Sequence, residues 1–258
     1  MLDLISSQLF LGPAQRRLFR RGLPVLTYHS VTQPPARARD PFLYVNPARF
    51  DEQLQLLRRH GFTSGSLDDF PVVSGNPAKK VVITFDDGYV NVLENALEIL
   101  VRNQFQSIQF IVAGLIGGRN EWDAKHGDVV EPLMDAAQIR DWLAAGQQIG
   151  SHSLTHRNLA KLKPAEAREQ IFGGKKKLED LFGIPIRHFC YPHGRWTPAV
   201  RDLVGEAGYA TACTTHFGIN TTRTPRFELN RIFALSQSEL LRKAGHRLTR
   251  KLARRPPR

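Results

Sequence analysis

The stretch that constrains this chain most is Val81-Val82-Ile83-Thr84-Phe85-Asp86-Asp87-Gly88-Tyr89. Its first five residues are apolar or β-branched and read as a buried strand. Asn91 to Asn103 reads as a helix, with Val92, Leu93, Ala96, Leu97, Leu100 and Val101 on one side. Two carboxylates therefore fall at the C-terminal tip of a strand, in the turn to a helix, which is where α/β architectures collect catalytic groups. Adjacent anions repel, and burying both is costly without a cation or a proton. A metal ion held by one of them is the simplest remedy, so its other ligands should lie elsewhere in the chain.

The same rhythm of strand and helix recurs along the sequence. Pro24 to Val31 reads as the first core strand and ends at His29-Ser30-Val31, and a Pro-rich loop, Gln33 to Pro41, follows. Asn46-Pro47 opens a helix that ends near Gly61. Further strands are expected at Ser107 to Val112, Gln148 to Ser151, Arg187 to Tyr191, Tyr209 to Thr214 and Leu229 to Ala234. Helices are expected at Asp135 to Ala145, Lys163 to Phe182 (interrupted at Gly173-Gly174) and Thr197 to Ala207, and Ser236 is expected to cap a basic C-terminal helix. Six or seven such units without a dividing linker imply one α/β domain with a mostly parallel sheet, an incomplete or distorted barrel.

Charge separates the ends from the body. The formal net charge is +12 over 258 residues. Arg16, Arg17, Arg20, Arg21 and eight basic residues between Arg242 and Arg258 supply twelve of the 36; the remaining 24 equal the 24 acidic residues. The division expected is a basic arm over 1–22, a catalytic domain over 23–236 and a basic helix or tail over 237–258. Such arms contact anionic membranes, nucleic acid or anionic polymers, or are solvated tails. Leu2, Ile5, Leu9 and Phe10 fit one side of a short helix and tilt the expectation towards peripheral membrane contact. No interleaved aromatic stripe supports nucleic-acid binding. The N-terminus lacks the order of a secretory signal, so a cytoplasmic place, or one at the inner membrane surface, is expected. Cys190 and Cys213 stand apart from any CxxC pair and read as buried thiols.

The missing ligands are found in His152-Ser153-Leu154-Thr155-His156, at another strand tip. If a helical turn begins after Ser151, both imidazoles project to one side. With Asp87 they make two histidines and a carboxylate, a set that suits zinc and accepts cobalt, nickel or manganese. No glutamate lies between the histidines, so the base must come from elsewhere, and Asp86 is the carboxylate left over. Tyr191-Pro192-His193-Gly194 turns away from a third tip and offers backbone N–H groups, that of His193 above all, to an oxyanion. His29, at the tip of the first strand, is the candidate general acid.

Thr84-Phe85-Asp86-Asp87-Gly88, His152 to His156 and Tyr191-Pro192-His193-Gly194, in this order, resemble the polysaccharide deacetylases (NodB homology, carbohydrate esterase family 4). The resemblance spans roughly residues 24–235. It implies a distorted (β/α)-barrel of about seven parallel strands and metal-dependent removal of acetyl groups from amino sugars, or from O-acetylated sugars in some members. It implies Asp86 as base, Asp87, His152 and His156 as metal ligands, and the His193 amide at the oxyanion. Two departures stand out. Cys190 occupies the place of an arginine that orients the base, and Leu229-Asn230-Arg231 replaces a late Leu-x-His that carries the acid. Leu26-Thr27-Tyr28-His29-Ser30-Val31 and the Tyr-Pro-x-Gly turn resemble the poly-N-acetylglucosamine deacetylase branch, in which a first-strand histidine replaces the late one. The expectation is therefore His29 as acid and Arg231 as partner of Asp86, acting on an N-acetylated glycan. Hydrolysis of an O-acetyl ester or a small amide at the same site is the alternative, and non-catalytic glycan binding or nucleic-acid binding is disfavoured.

Overall fold

The computed structural model describes residues 11–70, 75–124 and 129–234. The apolar N-terminal residues Leu2 to Phe10 and the expected basic helix over 237–258, with its Ser236 cap, lie outside them. The described residues form ten strands: β1 (Val25–Tyr28), β2 (Ser30–Val31), β3 (Tyr44–Val45), β4 (Thr63–Ser64), β5 (Lys80–Phe85), β6 (Ser107–Ile111), β7 (Gln148–Ser151), β8 (His188–Cys190), β9 (Thr211–Phe217) and β10 (Leu229–Phe233). The main sheet runs β1-β10-β9-β8-β7-β6-β5-β4, and β1 also pairs with β5. The pairing of Val25 with Val82 through Tyr28 with Phe85 closes a parallel barrel of seven strands, with β4 outside it on β5. Closure removes the free edges that an open sheet would expose.

Alternation along each strand decides what faces inward. Val25, Val82, Ile108, Phe110, Cys190, Cys213 and Leu229 belong to one buried cluster inside the barrel. Counting in twos from Val82 and from Leu229 turns Thr84, Asp86 and Arg231 inward as well. On β7 the interior position is Gly150, where a Cβ would lie 2.7 Å from the Phe110 ring, so the ring fills the space. The opposite strand faces join a second cluster, with Leu26, Ile83, Phe85, Ile149 and Phe189, under the surrounding helices.

Helices Pro47–Arg59, Val90–Arg102, Ala136–Ala144, Pro164–Phe182 and Pro198–Glu206 cover the barrel. Their starts are set locally. Asn46 Oδ1 accepts the Ala48 N–H at 2.8 Å with Pro47 in the first turn, and Asp135 and Gln138 make a reciprocal capping box. The helix from Pro164 runs unbroken through Gly173-Gly174, against the interruption expected there. A Cβ at Gly174 would lie 2.9 Å from Ser153 C and 3.1 Å from Ser151 Oγ, so the bare glycine lets the helix seat against the histidine turn. Residues 11–22, part of the expected basic arm, are docked on the barrel through Leu11 and Phe19. Arg16 Nη1 lies 3.1 Å from His60 Nε2. Among the described residues no helix is long and apolar enough to cross a membrane.

The first expected strand is in fact two. β1 stops at Tyr28, His29 sits in the break, and Ser30–Val31 leaves the barrel to pair with Tyr44–Val45 around the Pro-rich loop. Asn91 Oδ1 accepts the Val31 N–H at 3.0 Å and the Asn95 amide donates to Val31 O at 2.9 Å, which hold this second piece against the helix.

Candidate active site

The C-terminal strand tips converge on a buried polar centre. Asp86 is 3% exposed and Arg231 1%. Arg231 Nη1 donates to Asp86 Oδ1 and Nη2 to Oδ2, both at 2.7 Å. Arg231 Nε donates to Thr214 O at 2.8 Å, and Nη1 also reaches Thr84 Oγ1 at 3.3 Å. The strand pairing shifts register between Leu229 and Arg231, where β10 meets β9. Burial alone would raise the Asp86 pKa, but the Arg231 charge and its hydrogen bonds outweigh this and hold the carboxyl well below the usual carboxylate range. Cys190 puts its sulfur 3.7 Å from each Asp86 oxygen. His29 Nε2 lies 3.7 Å from Asp86 Oδ2, and its ring stacks parallel to Phe233 at 6.4 Å.

Asp87 points away from this pair towards the histidines. Its Oδ1 lies 3.4 Å from His152 Nε2 and 3.3 Å from His156 Nε2. One donor atom from each of Asp87, His152 and His156 falls within 4.8 Å of the others, and all three residues are buried. His152 Nδ1 lies 2.8 Å from the Cys190 carbonyl. A carbonyl only accepts, so Nδ1 carries the proton and the Nε2 lone pair faces Asp87. Burial lowers the His152 pKa to about 4 and that of His156 well below its usual value. Burial first, then the Asp86 charge, push the Asp87 carboxyl well above its ordinary range. With both imidazoles neutral, the contacts between Asp87 and the histidines are not ion pairs. Asp87 Oδ1 has no hydrogen-bond partner among the described residues.

These features fit a divalent cation. Two neutral imidazoles offer lone pairs, a buried carboxylate oxygen lacks a donor, and a cation would relieve the cost of ionising Asp87 beside Asp86. A second grouping, Asp86 with His152 and Cys190, is also close enough. It fits worse, because Arg231 already occupies Asp86 and burial raises the Cys190 pKa far above that of a free thiol.

The histidines do not meet by helical spacing. After Ser151 the chain makes a turn, with Ser153 at φ 67° and His156 at φ 58°. Asp87 (φ 77°) and His193 (φ 58°) also lie in the left-handed region, which non-glycine residues rarely occupy. Such strain persists where surroundings over-determine it, and here they do. Ser153 O and Leu154 O accept the Ala113 and Gly114 N–H groups at 3.1 and 2.6 Å. Ser153 Oγ accepts the His156 N–H at 3.1 Å, and Gln170 Oε1 accepts the Thr155 N–H at 2.9 Å.

The Tyr191 to Gly194 turn approaches from the other side, with the His193 ring 4.6 Å from that of His156. The Gly194 N–H bonds to Tyr191 O at 2.8 Å and the Arg195 N–H to Pro192 O at 3.1 Å, which fix the peptide between them. A cavity of about 490 Å³ opens here, lined by His193, Gly194, Arg195, Thr215, His216 and Phe233. Beyond Phe233 a second cavity of about 310 Å³ runs past His29, with Phe42, Tyr44, Asn46 and Arg49 on its walls. The two share Phe233 as a wall.

Sequence reasoning did not single out Tyr89 or Asn120. Tyr89 stands beside Asp87 and favours its charged form, against the larger effect of burial. Asn120 Nδ2 donates to the Tyr89 hydroxyl at 3.2 Å, and the Trp122 ring lies 4.2 Å from that of His156. The only signal for Tyr89 was its place directly after Asp-Asp-Gly; for Asn120 there was none.

Comparison with known proteins points to one family. A family profile described as polysaccharide deacetylase matches residues 74–212. Bacillus subtilis YxkH, named among polysaccharide deacetylases, is 25% identical over 214 residues, 81% of this chain and 70% of its own. The poly-beta-1,6-N-acetyl-D-glucosamine N-deacetylase of Staphylococcus aureus is 24% identical over 172 residues, 64% of this chain and 58% of its own. Among solved structures, IcaB from Ammonifex degensii superposes with a TM-score of 0.70 at 25% identity, over 88% of this chain and 97% of that one.

Proposed function

The chain belongs to the polysaccharide deacetylase family, and from that footing we propose that it removes N-acetyl groups from amino-sugar units of a poly- or oligosaccharide. The observation that carries this reading is the juxtaposition of two differently treated carboxylates: Asp86 clamped by Arg231, and Asp87 facing His152 and His156. Asp87, His152 and His156 would hold a divalent ion, zinc by our choice, whose Lewis acidity acidifies water and polarises the acetyl carbonyl.

The chain's own groups do the rest. Asp86, kept ionised and aimed by Arg231, accepts a proton from the attacking water. Its low basicity would suffice for a water that a bound cation had made acidic, which would tie the role of Asp86 to that of the three ligands. The His193 N–H, at the turn beside the cavity, donates to the oxyanion that develops on the former carbonyl. His29, 3.7 Å from Asp86, gives a proton to the departing amine. The two cavities, walled by Phe42, Tyr44 and Phe233, take neighbouring sugar units.

The test is acetate release from N-acetylglucosamine oligomers by chelator-stripped protein, before and after zinc is restored, with Asp86→Asn in parallel. Release that requires both zinc and Asp86 is expected. Zinc bound without release from these oligomers, but with release from O-acetylated glycans, would redirect the reading to an esterase.

A further inference from the structure

We propose that Asn120 and Trp122 brace the candidate metal ligands, and that Trp122 acts by holding the His156 ring and is not a platform for sugar. The inference rests on the reading of Asp87, His152 and His156 as a metal site. It begins from an asymmetry between the histidines. A metal-ligating imidazole is ordinarily oriented by a hydrogen bond from its other ring nitrogen. His152 has one, from Nδ1 to the Cys190 carbonyl at 2.8 Å. His156 Nδ1 is buried and has no hydrogen-bond partner among the described residues. Something else must stop that ring from turning about its Cβ–Cγ bond.

The rings around it do so. Trp122 lies against His156 with centroids 4.2 Å apart and planes inclined by 36°, and His193 lies 4.6 Å away at 63°. The indole is the larger surface, and it is packed against the core. Rotation of the imidazole would drive it into one ring or the other, so contact replaces the hydrogen bond as the device that aims Nε2.

The second ligand is reached through polar contacts. Asn120 is 3% exposed, and its Nδ2, with two hydrogens to share, lies 3.2 Å from Tyr89 Oη, 3.0 Å from Asp123 Oδ2 and 3.2 Å from Val129 O. Its Oδ1 accepts the Glu131 N–H. The Tyr89 hydroxyl, braced by Asn120, in turn stands beside Asp87 and favours its charged form. Backbone bridges pair Tyr89 with Leu133 and Arg119 with Pro132. Asn120 therefore links the stretch that carries Trp122 to the carboxylate that faces His156.

Zinc affinity of the stripped full-length chain, measured by competition with a chromophoric chelator, tests this. Trp122→Ala is expected to weaken zinc binding about 10- to 100-fold, the range found for groups that orient metal ligands. Trp122→Phe, which keeps a flat ring, is expected to restore most of it, and Tyr89→Phe, which removes one hydroxyl, to weaken it again. At saturating zinc the Trp122→Ala variant should regain turnover with KM for the oligomer unchanged. Unchanged zinc affinity in Trp122→Ala, with a raised KM, would overturn the brace and make Trp122 a sugar contact. A wild-type chain that binds no zinc would overturn the brace and the metal reading together. Zinc bound without acetate release would touch only the substrate assignment, and the affinities would still decide the brace.

Discussion

Both terminal nitrogens of Arg231 hold Asp86, one on each carboxylate oxygen, at 2.7 Å. Neither group is accessible to water to any useful extent, so each depends on the other. Breaking a buried pair from one side leaves an uncompensated charge and costs about 3–5 kcal/mol. Arg231→Ala should therefore lose stability of that order in a denaturant titration, and should also lose turnover. It should keep stoichiometric zinc, because Arg231 touches none of the three ligands. Loss of the metal in this variant would contradict the separation of the two carboxylates. Arg231→Lys should recover part of the stability but little turnover, since an ammonium cannot grip both oxygens.

The pH dependence of stability follows from burial. Below the unfolded value of about 6.5 an exposed histidine binds a proton, whereas His188 binds one in the folded state only near pH 4. Burial is the main cause, with Asp68 pulling the other way. The folded pKa is depressed, so between these values the unfolded chain binds more protons and stability falls as pH is lowered from 6.5 to 4. One proton changes stability by at most about 1.4 kcal/mol per pH unit. His188 sits at the far end of β8 from the strand tips, so His188→Gln should flatten this slope without altering zinc affinity. An unchanged slope would show that His188 is already charged in the folded state. Asp86 works at lower pH. Its depressed pKa contributes stability that is present above the unfolded value of about 3.9 and is lost as pH falls further.

Two adjacent glycines should behave oppositely. Alanine in place of glycine favours a helix by about 1 kcal/mol. At Gly173 a Cβ would meet Leu154 Cδ2 at 3.4 Å, an ordinary contact, so Gly173→Ala should stabilise by roughly that amount. At Gly174 it would meet Ser153 C at 2.9 Å and Leu154 N at 3.2 Å, backbone that cannot yield without moving His152 or His156. Gly174→Ala should lower both the melting temperature and zinc affinity. Equal effects from the two substitutions would mean that the helix does not set the histidine turn.

Both thiols should be silent. Cys190 and Cys213 are fully buried, and burial raises the Cys213 pKa to about 12 and that of Cys190 well above its usual value. A native chain should react with no equivalents of a thiol reagent at pH 8, and a denatured one with both. Prompt reaction of the native chain would show that the barrel interior opens.

The parts of this site that sequence made legible are those whose chemistry is local. An apolar run ending in Asp86-Asp87 has few places to go in an α/β chain, and strand alternation alone turns Asp86 and Arg231 inward. The substitution of Cys190 for an arginine left Asp86 short of a cation, and the structure places Arg231 there, 145 residues along the chain. What did not show was set by tertiary contact. The histidines were expected to converge on a helical turn, but two left-handed residues, held by Gly114, Gln170 and a helix that approaches over Gly174, bring them together instead. Asn120 lies in an irregular stretch with no periodicity, and only packing reveals that it braces Tyr89. Likewise, nothing local announces that β1 breaks at His29; the pull comes from Asn91 and Asn95 on a neighbouring helix.

The most direct test of the account is acetate release from N-acetylglucosamine oligomers by chelator-stripped protein as zinc is added back. The account predicts release that rises with zinc to one equivalent and is absent in Asp87→Asn at the same zinc concentration. Equal release by the stripped and zinc-restored proteins would contradict it.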